Sequence, residues 1–427
     1  MYFTSNDIEA RRQRVAAAWN NLLNDDDVVL IQSGSPVAKP GGLDQTYPFL
    51  PYPAYYWLTG RRREEETLLY NKNTGWKEFQ KSVAPEEAVW EGERNDLLVN
   101  SPGENISRLN AFIQERKFSS AITITSGTLR DEKTFAVRTA LDRERRKKDA
   151  AEVALIRQLA DIAAHGYRRI ASELKSGMSE KDIQLTFEQE IIRQGAHTVP
   201  YETIVGSGTN SAILHALPTH KKIAANDAVL VDAGCDMFDY CVDITRMYYA
   251  GTPSSQQRSL YQLVLKAHQE CMAMCKPGVW WRDVHLHAAK VITQGLVDLG
   301  ILKGSADELM EKEVASVFFP HGVGHLVGLR VRDTGHEENV QPKTYCGARL
   351  RVDILLEENH LLTVEPGCYF IPALLNNSAI RSRFKENINW DEAQRWIPVG
   401  GVRIEDNLLI TASGFDNLTA GVEKVNV

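Results

Sequence analysis

A chain of 427 residues, 43% hydrophobic and 25% charged, has the composition of a folded globular protein, and its length favours two domains over one. A net charge of −7 argues against a nucleic acid or an anionic membrane as partner, since both require a basic face. No stretch is apolar for long enough to span a bilayer, the first residues lack the pattern of a signal peptide, and the six cysteines show neither Cys-x-x-Cys spacing nor disulfide density, which together predict a reduced, cytoplasmic protein.

In chain order, Ser5 is placed to cap a helix running to about Leu23, and Val28–Ile31 reads as a buried strand. The aromatic runs Tyr55–Leu58 and Thr67–Tyr70, and then Ala121–Thr125, read as further strands. Short strands interspersed with helices predict a small α/β domain over residues 1–143. Residues 46–56, rich in proline and tyrosine, read as a loop that either forms a local surface cluster or reaches a second subunit. The basic run 143–148 marks the boundary and reads as the solvated start of the next helix.

Residues 144–427 nearly repeat themselves. An amphipathic pattern (Val153, Ile156, Leu159, Ile162, Tyr167, Ile170) runs into Gly177-Met-Ser-Glu-Lys-Asp-Ile183 and a second helix. About one hundred residues later Leu260, Leu263, Val264, Ala267 and Cys271 run into Gly278-Val-Trp-Trp-Arg-Asp-Val284 and another helix. A strand-rich stretch follows each copy. Two similar α/β halves that send acids to a shared interface predict a sheet core wrapped by helices, with a metal pocket at the junction.

The candidate ligands are Asp232, Asp243, His325, Glu365 and Glu405. Asp232 ends the apolar run Ala228–Val231, and a carboxylate there is costly to bury unless paired or bound to a metal. The ten residues between Asp232 and Asp243 are enough to turn and return on an antiparallel neighbour. Gly206, Gly208 and Asn210 read as a turn that puts His215 at a strand end, and the glycines of Pro320-His-Gly-Val-Gly-His325 present His321 and His325 differently. Four carboxylates and one imidazole form a hard, oxygen-rich set that suits two divalent cations, with Asp243 and Glu405 as candidate bridges. Divalent manganese, cobalt, iron and zinc all suit such a two-metal site, with Mn2+ the expected occupant and Co2+ and Zn2+ compatible.

These motifs resemble a known family. Val231-Asp-Ala-Gly-Cys with Asp243-Ile-Thr-Arg, Phe319-Pro-His-Gly-Val-Gly-His-Leu-Val-Gly328, Thr363-Val-Glu-Pro-Gly-Cys-Tyr-Phe-Ile371 and Gly400-Gly-Val-Arg-Ile-Glu-Asp406 are similar to the Xaa-Pro dipeptidases (prolidases), within the dinuclear pita-bread metallopeptidases that include aminopeptidase P. The resemblance implies a pita-bread catalytic domain behind a smaller creatinase-like α/β domain, which would dimerise and cap the partner's active site. It implies one metal on Asp243, His325, Glu365 and Glu405 and another on Asp232, Asp243 and Glu405. It also gives Glu365 the role of proton shuttle, makes His215 and His321 pocket histidines, and sets Tyr369 and Arg403 beside the metal carboxylates. Tyr201 falls among the substrate contacts, and Arg381 (or Arg383) falls near the guanidinium that would hold a dipeptide's terminal carboxylate. One departure is plain: Val331-Arg332-Asp333 stands where the family shows Val-His-Asp, with His336 the nearest imidazole in sequence.

The implied substrates are Xaa-Pro dipeptides, whose tertiary amide lacks the N–H that strand-binding peptidases use. Aminopeptidase P-type trimming of longer peptides is the alternative, and organophosphate hydrolysis is a compatible side activity. A metal-free scaffold role is disfavoured by the complete ligand set.

Overall fold

Thr4 rather than Ser5 caps the first helix, Ser5–Trp19: its hydroxyl accepts from the Asp7 amide, and Asp7 accepts in return from the Thr4 amide. The structure is a computed structural model that describes residues 3–82, 86, 89–90, 103–125, 131–334 and 343–427. It divides into two compact units, Met1–Arg145 and Arg146–Val427.

The first unit is built on a five-stranded sheet in the order Glu104–Asn105, Gly75–Gln80, Thr67–Asn71, Asp27–Gln32, Ser120–Ile124. Val28, Leu30, Leu69, Phe79 and Phe112 form one side of its core. The run Tyr55–Leu58 is helical, contrary to the strand expected from its aromatics: it lies in the buried helix Pro53–Thr59. Pro53 presets the first turn and Gly60, at φ 68°, closes the last, so the end signals and burial override β-propensity. Only the first part of the 46–56 stretch is a surface element, with Tyr47 and Leu50 exposed while Tyr55 and Tyr56 are buried.

The basic run is not a solvated helix start. It ends the helix Glu132–Arg146, and Arg145, Arg146 and Lys148 are all buried. Lys148 pairs with buried Asp333 at 2.9 Å, and the next helix, Ala150–Glu173, begins only after its own cap, Asp149.

In the second unit the internal repeat is structural. Helices Ala150–Glu173 and Glu180–Arg193 form one pair, and Ser255–Met274 and Trp281–Asp298 the other. Gly177 and Gly278 both turn the chain at positive φ, 90° and 85°. Each then bonds a downstream segment in the same way: Gly177 N–H donates to Ile223 O and receives the chain back through Ile223 N–H to Met178 O, while Gly278 and Val279 do the same with Leu356. The first half carries the antiparallel sheet Thr245–Tyr249, Ala228–Asp232, Ile204–Ser207. The second carries Leu361–Val364 paired with Asp406–Ile410, and Gly367–Tyr369 paired with Gly401–Arg403. A bridge between Thr245 and Glu405 ties the two halves together. No described helix is long and apolar enough to cross a membrane.

His268, His285 and His360 are packed into this unit with at most 2% exposure. Burial holds them well below the ordinary imidazole value, at about 3, 4 and 3. Between about pH 6.5 and pH 4 the unfolded chain therefore binds more protons than the native state. Stability is full above about pH 6.5 and falls as pH drops through that window, by about 1.4 kcal/mol per pH unit for each histidine. Urea unfolding at pH 7, 6 and 5 checks this, and a flat midpoint would contradict it.

Candidate active site

Each acid sits where a strand ends or breaks. Asp232 is the last residue of the central strand Ala228–Asp232 and pairs in register with Thr245. The hairpin expected between the two aspartates is present, with Asp243 just ahead of the returning strand and its amide held by Asn407 Oδ1 at 3.0 Å. In the second half, two strand pairs are interrupted at the same level. Val364 pairs with Asp406 and Gly367 with Arg403, which leaves Glu365 and Pro366 opposite Ile404 and Glu405. The paired interruption sets both glutamates at the mouth of one sheet.

The loop carrying His325 lies directly on that sheet. Thr363 and Glu365 N–H groups donate to His325 O and Val323 O, each at 2.8 Å. A Cβ on Gly324 would fall 2.1 Å from Thr363 O, so only glycine permits this approach. His325 Nδ1 faces Leu326 O at 3.1 Å. A carbonyl only accepts, so Nδ1 carries a proton; Nε2 is the atom that would ligate a cation, and without one the neighbouring acids favour a proton there, raising the His325 pKa despite its burial. Nε2 lies 3.4 Å from Asp243 Oδ2 and 3.5 Å from Glu365 Oε1.

Asp243, His325 and Glu405 each offer a ligand atom within 4.8 Å of the others. Asp232 and Glu365 line the same cavity, of about 670 Å³, together with Tyr201, His215, His321 and Arg403. The surrounding bonds fix the carboxylates. Tyr201 hydroxyl reaches both Asp232 and Asp243, Thr245 Oγ1 donates to Glu405 Oε2 at 2.7 Å, and Arg403 donates to Asp232 Oδ2 at 2.6 Å. Arg403 also donates to the Tyr369 hydroxyl at 3.1 Å, which stands 2.8 Å from His321 Nε2. With His321 Nδ1 on Gly322 O, its Nε2 is the acceptor and the order runs Arg403 to Tyr369 to His321. Burial, reinforced by Arg403, holds His321 neutral with its pKa at about 3.

The electrostatics fit cations. Burial pushes the Asp232 carboxyl up to about 7, and burial with mutual repulsion pushes Glu405 well above the ordinary carboxylate range and Glu365 upward. Asp243 goes the other way: burial would raise it, but His325, Tyr201 and Arg403 together outweigh that and lower it. Glu405 Oε1 is buried with no hydrogen-bond partner among the described residues. A crowded set of acids with an orphaned oxygen lacks positive charge, and divalent cations would supply it.

Not every expected residue comes to this place. Arg381 does not line the cavity: its guanidinium donates to Leu375 O at 3.0 Å and lies over the Trp390 ring. Arg383 is engaged with Glu313. His215 does line the cavity but follows a short 3-10 turn, Gly208–Ala212, rather than ending a strand; Gly206 itself lies in the strand Ile204–Ser207. Arg332 faces the cavity, and His336 falls outside the described residues. Arg351 and Arg330, also on the wall, carry no signal in the sequence, because Arg330-Val-Arg332 and Arg349-Leu-Arg351 read as plain alternation of charged and apolar residues. Thr245 and Asn407 could have been found, since each lies two residues from a ligand candidate in a run otherwise buried.

A cluster of buried carboxylates with one imidazole at the floor of an open cavity defines a divalent-metal hydrolase. The chain belongs to metallopeptidase family M24, which residues 154–412 match, while residues 8–98 match the aminopeptidase P N-terminal domain. Curated relatives include the probable Xaa-Pro aminopeptidase pepP of Emericella nidulans, 34% identical over 410 residues that cover 90% of this chain and 88% of the relative. The protein of the same name from Aspergillus terreus is 34% identical, covering 88% and 86%. Among solved structures, aminopeptidase P of E. coli with the inhibitor Pro-Leu aligns at TM-score 0.79 and 25% identity, covering 99% of this chain and 96% of that one. Proline aminopeptidase P II of Yersinia pestis aligns at 0.80 and 26%, covering 99% and 98%. The pita-bread fold expected from the motifs is thus the fold of the chain, but these relatives are aminopeptidases P and not prolidases in particular.

Proposed function

We propose that this protein removes the N-terminal residue ahead of proline from short peptides, using a pair of divalent cations held by Asp232, Asp243, His325, Glu365 and Glu405. The observation that carries this reading is the convergence of these five side chains on one cavity floor, with the orphaned Glu405 Oε1 among them. Mn2+ is the favoured occupant of this hard donor set. Bound there, divalent cations supply Lewis acidity toward the scissile carbonyl and acidify a water toward neutral pH.

The chain's own residues do the rest. Glu365, raised by burial, takes the proton of the attacking water and passes it to the proline nitrogen, which must be protonated to leave. His321, kept neutral, has both ring nitrogens engaged, Nδ1 on Gly322 O and Nε2 on the Tyr369 hydroxyl, so it fixes Tyr369 and the cavity wall and exchanges no proton with the substrate. Arg403 opposes, through its 2.6 Å contact, the protonation of Asp232 that burial favours, and anchors Tyr369 at the same time. His215 and Tyr201 complete the walls around the reacting amide.

Aminopeptidase-type length tolerance is favoured over dipeptide restriction because Arg381, the expected clamp for a dipeptide's carboxylate, is turned away from the cavity. A cavity of about 670 Å³ is also ample for more than two residues. Dipeptides stay within range, because Arg332 and Arg351 on the wall can receive a terminal carboxylate. The test is a panel of Ala-Pro, Ala-Pro-Ala, Ala-Pro-Ala-Ala and Ala-Ala-Ala. Cleavage of all three proline peptides at comparable kcat/KM, with Ala-Ala-Ala resistant, is expected. Cleavage of Ala-Pro alone would restore the dipeptidase reading, and cleavage of none would end both.

A further inference from the structure

Four arginines line the cavity, and they are of two kinds. Arg403 is buried and committed to Asp232, Tyr369 and Thr245. Arg330 donates to Leu329 O and stands 3.8 Å from Asp239. Arg332 and Arg351, by contrast, make no hydrogen bond or ion pair with any described residue, and both are exposed to the cavity. Glu202, the acid on the cavity wall outside the ligand cluster, forms an ion pair with neither.

These two side chains project from fixed backbone. Asp333, next to Arg332, is 6% exposed and locked to Lys148, and its amide donates to Leu326 O at 2.9 Å. Arg351 is flanked by buried Leu350 and Val352. The two guanidiniums feel each other: after burial, Arg332 is the largest influence lowering the pKa of Arg351. Glu365 and Asp243 act on Arg351 in the opposite sense, but neither arginine has an ion-pair partner among the described residues, and an anion bound at both relieves their repulsion. A peptide's protonated amine is repelled by this wall and drawn to the acids, so the C-terminal end of the substrate faces the arginines.

We propose that Arg332 and Arg351 together receive two negative charges on the C-terminal side of the substrate, so that the preferred peptides are Xaa-Pro peptides whose leaving portion carries an acidic side chain as well as its terminal carboxylate. This deepens the peptidase reading above and rests on it. One carboxylate satisfies one guanidinium through a bidentate contact, and a second carboxylate satisfies the other. A neutral leaving portion leaves one arginine unmatched, and a basic one adds a third positive charge.

The test compares kcat/KM for Ala-Pro-Glu, Ala-Pro-Ala and Ala-Pro-Lys, and measures binding of Pro-Glu and Pro-Ala to the purified protein by calorimetry. Ala-Pro-Glu is expected to exceed Ala-Pro-Ala by about tenfold, with Ala-Pro-Lys below both, and Pro-Glu to bind about tenfold more tightly than Pro-Ala. Both ratios should shrink as salt is raised. Arg332→Ala should bring the Glu-to-Ala ratio close to one, and Arg332→Lys should keep part of it, since lysine retains the charge without the planar fork. Equal efficiency on the three peptides, or an equal loss on all three in Arg332→Ala, would overturn the inference and leave the peptidase reading standing. Failure to cleave any Xaa-Pro peptide would remove the peptidase reading instead. The binding arm then decides alone, and equal affinities for Pro-Glu and Pro-Ala would refute the paired receptor.

Discussion

Asp243→Asn is expected to lower kcat/KM on Ala-Pro-Ala by roughly a thousandfold or more, about 4 kcal/mol of transition-state stabilisation, and to reduce the number of divalent ions retained per chain. The expectation comes from its position. Asp243 shares the 4.8 Å ligand cluster with His325 and Glu405, and it is the acid that His325 keeps ionised when its neighbours are pushed toward protonation. An amide at this position keeps the shape but loses the charge and one acceptor oxygen. Asp232→Asn should be milder, because Arg403 and Tyr201 already occupy both Asp232 oxygens and hold the side chain in place. Metal content by mass spectrometry, measured beside kcat/KM, checks both variants. Near-normal turnover with a full metal complement in Asp243→Asn would show that the shared-ligand assignment is wrong.

The second large effect is on stability. Arg246 is buried behind the site and gives five hydrogen bonds: to Val422 O twice, to Thr245 O, to Glu405 O and to Asp406. Asp406 is also held by Thr419 and Lys424. Burial would push its carboxyl up, but Arg246, His268 and Lys424 hold it far below the ordinary range. Arg246→Met removes the main cation from a fully buried carboxylate and frees the backbone that carries Glu405. The cost of breaking such a pair from one side is about 3–5 kcal/mol. For a unit of this size the Tm should fall by roughly 6–20 °C. Arg246→Lys should recover little, because one ammonium cannot span the three carbonyl groups and the carboxylate. Thermal unfolding of the two variants tests the claim, and a Tm unchanged within a degree or two in Arg246→Met would contradict it.

How much of this was legible in the sequence depended on how local the signal was. The four acids stood out because each ends or interrupts an apolar strand, a conflict that burial alone leaves unresolved, and His325 because it lies in a glycine-spaced histidine run. The two helix pairs were visible through their 3.6-residue periodicity and the shared glycine turn. Elsewhere the composition of a run and its environment in the fold disagree. Tyr55–Leu58 has strand composition but sits between Pro53 and Gly60, whose end signals outweigh it. Lys148 looked solvated because Asp333, its buried partner, lies 185 residues away. Arg381 matched a clamp by motif, but the segment after Tyr369 folds its guanidinium onto Trp390. Arg351 was invisible for the opposite reason: nothing in the residues around it shows which cavity its loop will face.

The most direct test of the central claim is to measure divalent-metal content and Ala-Pro-Ala hydrolysis on the same preparation, before chelation, after it and after metal is restored. About two equivalents of divalent ion per chain are expected. Chelation should abolish activity without unfolding the protein, and added Mn2+ should restore it. Full hydrolysis by metal-free protein would contradict the account.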